Sequence, residues 1–563
     1  LIFLQKEKNQ IRSHAKIEPA FYPVSMKSAL RRFVLPAIFL MSVLLTAILP
    51  HLLVNRPGIG SAKSLSQSIL QQQKSAMALR YSADVDCLPT ANYYQLQGRL
   101  KQTKAAALIE GEARIRYTNR NATPLEQVVF RLYPNAASTR SVARLQVTQV
   151  QVQAHPRPIQ LSVEETVLTV PLRSPLLPGA TVEITLNFVT QIQANRVGGG
   201  FGRMGYIDQV ITAASWYPTL SVYEAGRGWW VAPLPPPIVD QTNTVISDSD
   251  PTYSESSFFE VALRLPRTLV LVTNGTQTRR QEHSDGTVTY HSVTGPMREQ
   301  VFVASPRYVV TSLTFQGIQL HFWHYGDRAS TSHGSTRQIM DIARKALTAF
   351  RDRFGVYPYQ TLHIVQNPID TGLEFPGLIL VSDQSWEQGT AERIVVHEIA
   401  HQWFYGLLGN NQVEHPWLDE GLATYSEFVY TIYHATPKVA QQLTRAEQAK
   451  VEQFTQTIAQ KQRPDLKLNL SVAEFQADYG SFAYQRGGQF YLWLEQQLGR
   501  EVVYRALKHY VQRQRYEVTT TKNLKQALER SSGKDLTAPF EQWVGTYQED
   551  AQPAPLSQCQ PNL

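Results

Sequence analysis

The chain has 563 residues, too many for a single hydrophobic core, so two or three domains are expected once the tails are set aside. Hydrophobic residues make up 43% and charged residues 18%, a balance that fits a folded, core-forming protein. Net charge is +8, yet Lys and Arg are spread thinly with no cluster interleaved with aromatics. That pattern argues against a nucleic-acid partner.

Taken in chain order, the first 32 residues form a basic segment, with Lys6, Lys8, Arg12, Lys16, Lys27, Arg31 and Arg32. Phe33 to Val54 then contains no Asp, Glu, Lys or Arg. At ~1.5 Å rise per residue this run gives about 33 Å of helix, enough for a bilayer core of ~30 Å. The upstream positive charge places the N-terminus in the cytoplasm and the bulk of the chain outside the membrane. A cleaved signal peptide is the alternative, but no small-x-small site follows the apolar run. Residues 55–86 are polar and rich in Gln and Ser, and read as a tether or short helical stalk.

From Cys87 the pattern changes to short alternating runs such as Ala113-Arg114-Ile115-Arg116-Tyr117 and Val182-Glu183-Ile184-Thr185-Leu186, separated by Asn, Gly and Pro turns. They predict an antiparallel, sandwich-like β domain over 87–312. Pro233-Leu234-Pro235-Pro236-Pro237 is a loop within it. Beyond it the apolar period lengthens to that of helices at 338–354, 391–408, 418–433, 485–498 and 502–512. A mainly helical domain is therefore expected over 313–547, with a tail at 548–563. The fold class is multidomain α+β.

The two cysteines, Cys87 and Cys559, bracket the expected folded region. Either they are joined in an oxidising compartment or they are two thiols in the flanks. They cannot build a thiolate cluster, so any metal site must use His and carboxylates.

His397-Glu398-Ile399-Ala400-His401 is such a candidate. On a helix at ~100° per residue the two imidazoles lie one turn apart on one face, within reach of a single ion. Glu398 sits beside that face, where it can act as general base on an attacking water. After a break at Gly409-Asn410-Asn411, Trp417-Leu418-Asp419-Glu420-Gly421 starts a second helix that can fold back on the first. Glu420 then supplies the third donor, and three protein ligands are the number found in catalytic zinc sites.

HExxH followed by WLDEG, with Glu420 nineteen residues after His401, resembles the M1 (gluzincin) aminopeptidase family. Gly372-Leu373-Glu374-Phe375-Pro376-Gly377-Leu378 is similar to its GxMEN strand, with Leu373 for Met and Phe375 for Asn. Tyr484-Gln485-Arg486-Gly487 is similar to its YxKG element, and Leu132-Tyr133-Pro134-Asn135 closes a segment like its opening strands. The resemblance covers roughly residues 90–547. It implies a thermolysin-like catalytic domain with one zinc ion held by His397, His401 and Glu420. It also implies Glu398 and Tyr484 as catalytic groups, with Glu374 and Gly372 binding substrate. Glu374 is the group expected to bind the α-amine of peptides with a free N-terminus. The family's second amine-binding residue has no secure match, and Gln209 is a gap-dependent candidate. The large C-terminal helical domain of many relatives is not expected here. An endopeptidase of the same fold and a catalytically silent anchored scaffold are the rival readings.

Overall fold

The computed structural model describes residues 65–198, 202–239, 245–247, 252–326, 333–460, 467–546 and 551–558. The apolar run 33–54 and its basic flank lie outside the described residues, as does Cys559. Among the described residues no helix is long and apolar enough to cross a membrane.

The alternating runs after Cys87 assemble into an eight-stranded sheet. Its order is Thr276–Glu282, Thr287–Met297, Ser257–Pro266, Asn92–Gln102, Ala106–Thr118, Thr181–Gln193, Ala143–Val152 and His155–Arg157. All neighbours are antiparallel except Asn92–Gln102 with Ser257–Pro266, which pair in parallel with Asn92 opposite Ser257. The sequence alternation becomes two-sidedness: Leu96, Ile109, Ile115, Ile184 and Val261 point inward, where they meet Phe130, Val170, Ile211 and Phe302 of two smaller sheets.

One of those smaller sheets is buried on both faces. Its strand Val210–Ala214 reads as a continuous run of small and apolar residues because Ile211 and Ala213 face the sandwich core while Val210 and Ala214 face the next domain. There they pack on Tyr308, Val365, Leu373, Phe375 and Leu380 of a five-stranded mixed sheet. Its order is Tyr308–Phe315, Ile318–Tyr325, Thr361–Asn367, Leu378–Ser382 and Gly372–Phe375. The strand Tyr308–Phe315 straddles residue 312 and pairs with Ile318–Tyr325, so it belongs to this second sheet. The two inner strand pairs are parallel, and the helix His333–Phe354 makes the crossover between Ile318–Tyr325 and Thr361–Asn367. The other face of the sheet, with Leu320, Phe322, Ile364 and Ile379, shares its core with the helices.

Two sequence expectations need correction here. The helix expected over 391–408 runs only over Ala391–Ala400, with His401 as its C-cap, and turns follow. The expected tether is, from Leu65 onward, part of the folded body. The helix Gln67–Lys74, capped by Ser66, is followed by the 3₁₀ segment Leu79–Cys87, and Leu65, Leu70, Met77 and Val85 are buried in the helical domain's core. The Gln-rich composition hid this because most glutamines lie on the outer face. Gln73 alone turns inward, donating to the Phe259 carbonyl at 3.0 Å and accepting from Gly295 N–H at 2.9 Å. Cys87, at the end of this segment, is disulfide-bonded.

Candidate active site

Four elements converge to place the site: the helix Ala391–Ala400, the helix Trp417–His434, the edge strand Gly372–Phe375 and the π-helical segment Gly480–Arg486. Glu420 lies in the first turn of its helix, where the dipole favours a carboxylate. The helix Trp417–His434 and the segment leading into Gly487–Leu498 approach closely at two glycines. A Cβ on Gly421 would lie 2.9 Å from Gly487 backbone atoms, and one on Gly487 would lie 2.7 Å from the Gly421 Cα. The glycines of WLDEG and YQRG are therefore the contact that carries Tyr484 to Glu420.

His397 Nε2 and Glu420 Oε2 are 3.1 Å apart, His397 Nε2 and His401 Nε2 3.2 Å, and His401 Nε2 and Glu420 Oε2 3.4 Å. A tetrahedral ion with bonds of ~2.0–2.1 Å has donor–donor edges of about 3.3–3.4 Å, so this triangle has the dimensions of a zinc site. The far nitrogen of each ring is also committed. His397 Nδ1 donates to Glu427 Oε1 at 2.8 Å, and His401 Nδ1 donates to the Phe404 carbonyl at 2.9 Å. Both partners are acceptors, so both Nε2 atoms are left with their lone pairs toward the shared point.

All three donors are buried, and their ionisation reflects it. Burial opposes charge on His397, but hydrogen bonds to Glu420 and Glu427 outweigh it and push the imidazole up to about 10. His401 is likewise raised: burial opposes its charge, and the Glu420 carboxylate overrides it. Glu420 is pulled down to about 2, because the two imidazoles more than offset its burial.

Glu398 stands beside the triangle. Its Oε2 is buried with no hydrogen-bond partner, and burial pushes the carboxyl up to about 8. Gly372 faces it so closely that a Cβ there would lie 2.3 Å from Glu398 Oε1. Gly372 thus makes room for the Glu398 side chain. Glu374, two residues along the same edge strand, is buried. Its carboxylate, that of Glu398 and a His401 nitrogen lie within 4.8 Å of one another. Desolvation raises Glu374 as well. Gln402, one residue past the second histidine, ties this strand to the HExxH helix. It donates to the Phe375 carbonyl at 3.0 Å and accepts from Gly377 N–H at 2.8 Å.

Tyr484 donates its phenol proton to Glu420 Oε1 at 2.7 Å, and its ring stacks on His397 with centroids 5.8 Å apart. The structure therefore brings together His397, His401, Glu420, Glu398, Glu374, Gly372 and Tyr484. Gln209 is not among them, and that expectation is corrected. It occupies an exposed two-residue turn with Asp208, both at positive φ, between the strands Met204–Ile207 and Val210–Ala214.

Sequence reasoning missed Glu427 and Gln412. Glu427 was findable, since it follows Glu420 by seven residues, two turns along the same helix face. Replacing it with Ala is expected to weaken zinc affinity about 10- to 100-fold, because the His397 ring then loses its orienting acceptor. Competition with a chromogenic chelator measures this, and unchanged affinity would refute the role.

The HExxH helix and the second helix thus bring two imidazoles and a carboxylate to one point beside the edge strand of the mixed sheet. Residues 339–543 match the Peptidase family M1 domain. Aminopeptidase M1-B of Oryza sativa subsp. japonica is 25% identical over 321 residues, covering 52% of this chain and 35% of that protein. Aminopeptidase N of Lactococcus lactis subsp. lactis is 25% identical over 228 residues, covering 36% and 26%. The chain thus spans about a quarter to a third of the length of such curated relatives. An M1 zinc metallopeptidase from Deinococcus radiodurans shares the fold over 82% of this chain and 96% of its own, with TM-score 0.56 and 18% identity. A mutant of that enzyme bound to a Tyr-Ser-Ala substrate aligns with TM-score 0.57 and 16% identity, over 83% and 97%.

Proposed function

We propose that this chain is a zinc-dependent metallopeptidase that removes residues from the free N-terminus of peptides. The single observation carrying the reading is the buried triangle of His397, His401 and Glu420, with edges of 3.1–3.4 Å. Bound there, zinc supplies Lewis-acid activation of the attacking water and of the scissile carbonyl.

The chain's own residues do the rest. Glu398, with its unpartnered Oε2, accepts the proton of the attacking water and delivers it to the leaving amine. Tyr484 exchanges its hydrogen bond to Glu420 for one to the oxyanion that develops on the substrate. Glu374 pairs with the substrate α-ammonium, which limits cleavage to the first peptide bond. The aminopeptidase names of the matched relatives support this cleavage mode. The charge-free run 33–54 and its basic flank support a single-pass anchor with the catalytic body on the extracytoplasmic side.

Tyr484→Phe is expected to lower kcat about 10²–10³-fold with KM little changed, the usual cost of one oxyanion donor. Steady-state kinetics on an aminoacyl reporter reads this, and a near-normal kcat would remove Tyr484 from the mechanism. The cleavage mode is tested by digesting one peptide with its N-terminus free and acetylated, and reading the products by mass spectrometry. Stepwise loss of residues from the free peptide alone is the expected result. Equal cleavage of both forms would make the enzyme an endopeptidase.

A further inference from the structure

We infer that Gln412 is the positioning residue that orients Glu374 toward the substrate's N-terminus, an inference that rests on Glu374 being the ammonium-binding group. Gln412 lies in the loop between the two metal-site helices and is buried. Its Nε2 donates to Glu374 Oε1 at 3.1 Å and to Asp419 Oδ2 at 2.8 Å. Its Oε1 accepts the hydroxyl proton of Thr252, which comes from the β domain.

The amide therefore uses both N–H groups and its oxygen at once. Turning it over would aim the oxygen at two carboxylates, so the surrounding groups dictate its orientation. Asp419 is fixed in turn, because its other oxygen accepts from Asn410 Nδ2 at 2.9 Å. Asp419 immediately precedes Glu420. One short segment thus places the third metal donor directly and, through a single amide, the carboxylate that meets the ammonium.

Glu374 needs such a support. It is buried close to Glu398, and repulsion between the two carboxylates favours any rotamer that separates them. Donation from Gln412 holds one oxygen in place and leaves the carboxylate aligned for a cation. The loop that carries Gln412 is itself braced. Arg298, fully buried, donates to the carbonyls of Tyr405 at 2.7 Å, Ser254 at 3.0 Å, Leu407 at 3.3 Å and Glu517. Gly409 lies against its guanidinium, where a Cβ would come within 1.9 Å. A rigid loop transmits the position of Gln412 to Glu374 instead of yielding to it.

The test uses the zinc-loaded protein and an aminoacyl reporter. Gln412→Met keeps the side chain's length and removes both donors. It is expected to raise KM about tenfold, with kcat within about twofold, the fold-change of one hydrogen bond to a charged group. Thr252→Val touches neither carboxylate and frees the amide; a smaller KM rise is expected. The double variant should be no worse than Gln412→Met alone, since both act through one amide. A fall in kcat at constant KM, additive effects, or an unchanged KM in both single variants would overturn the inference. Glu374→Gln run alongside separates the two claims. If it leaves KM unchanged, the assignment of Glu374 fails and the role of Gln412 falls with it. If it raises KM while neither Gln412→Met nor Thr252→Val does, only Gln412 is refuted.

Discussion

Glu398→Gln is expected to keep a full equivalent of zinc while losing about 10²–10⁴ in kcat, the range for removing one general acid–base group. The two halves of this result have separate causes. Glutamine has the shape of glutamate, so the close contact with Gly372 survives, and the three metal donors are untouched. What is lost is the capacity to accept a proton. In the native chain Glu398 Oε2 has no hydrogen-bond partner within the protein, so nothing else in the fold competes for that lone pair. Elemental analysis of the purified variant, together with steady-state rates, checks both halves. Activity close to the wild type would mean that another group moves the proton.

Stripping the metal is the second large effect, and its size should depend on pH. In the metal-free site His397 is held at about 10, above its ordinary value of 6.5. Its contribution to stability is therefore complete below pH 6.5 and is lost as pH rises through 10. Glu398, held at about 8 against 4.5, acts in the same direction between those two values. Glu420 is depressed to about 2, so its contribution is present above pH 4.5 and disappears only as pH falls through 2. Metal-free protein should thus melt at steadily lower temperature as pH rises from 6 to 9. Zinc binding has the opposite dependence, because it displaces the imidazole protons. The stabilisation by zinc should accordingly widen over the same interval. At free zinc a thousandfold above Kd the gain is about 4 kcal/mol. For a chain of 563 residues, with an unfolding entropy of about 1.2 kcal/mol/K, that corresponds to a melting shift of roughly 3–4 °C. Calorimetry with and without chelator at pH 6 and pH 9 measures the gap. A gap that narrowed toward pH 9 would contradict this account of the site.

The metal triad was legible because its chemistry imposes spacing. Two ligands on one helix must be four residues apart, and the third must come from the element that folds back on it. The β domain was legible for a similar reason, since a two-faced sheet writes alternation into its strands. Other parts of the site leave fainter marks. Gln412 sits in a loop with no periodicity, and its role depends on Glu374, 38 residues earlier, and Thr252, 160 residues earlier, which chain order does not bring together. Gln209 misled because a glutamine in a turn looks, in one dimension, like a glutamine lining a cleft. The segment before Cys87 misled through composition. Three apolar side chains among many glutamines suffice to dock a two-turn helix, and that small number is below what an averaged reading detects.

That docked helix sets where the protein can be cut. Leu65, Leu70 and Met77 fill space inside the helical domain, and the backbone of Ala76 and Ala78 bonds Gln360 and Pro358 in the chain leading into the central sheet. A protease releasing an intact catalytic body must therefore act before residue 65. A recombinant fragment begun at Cys87, five residues before the first strand, would have a hole in its interior and leave those bonds unmade.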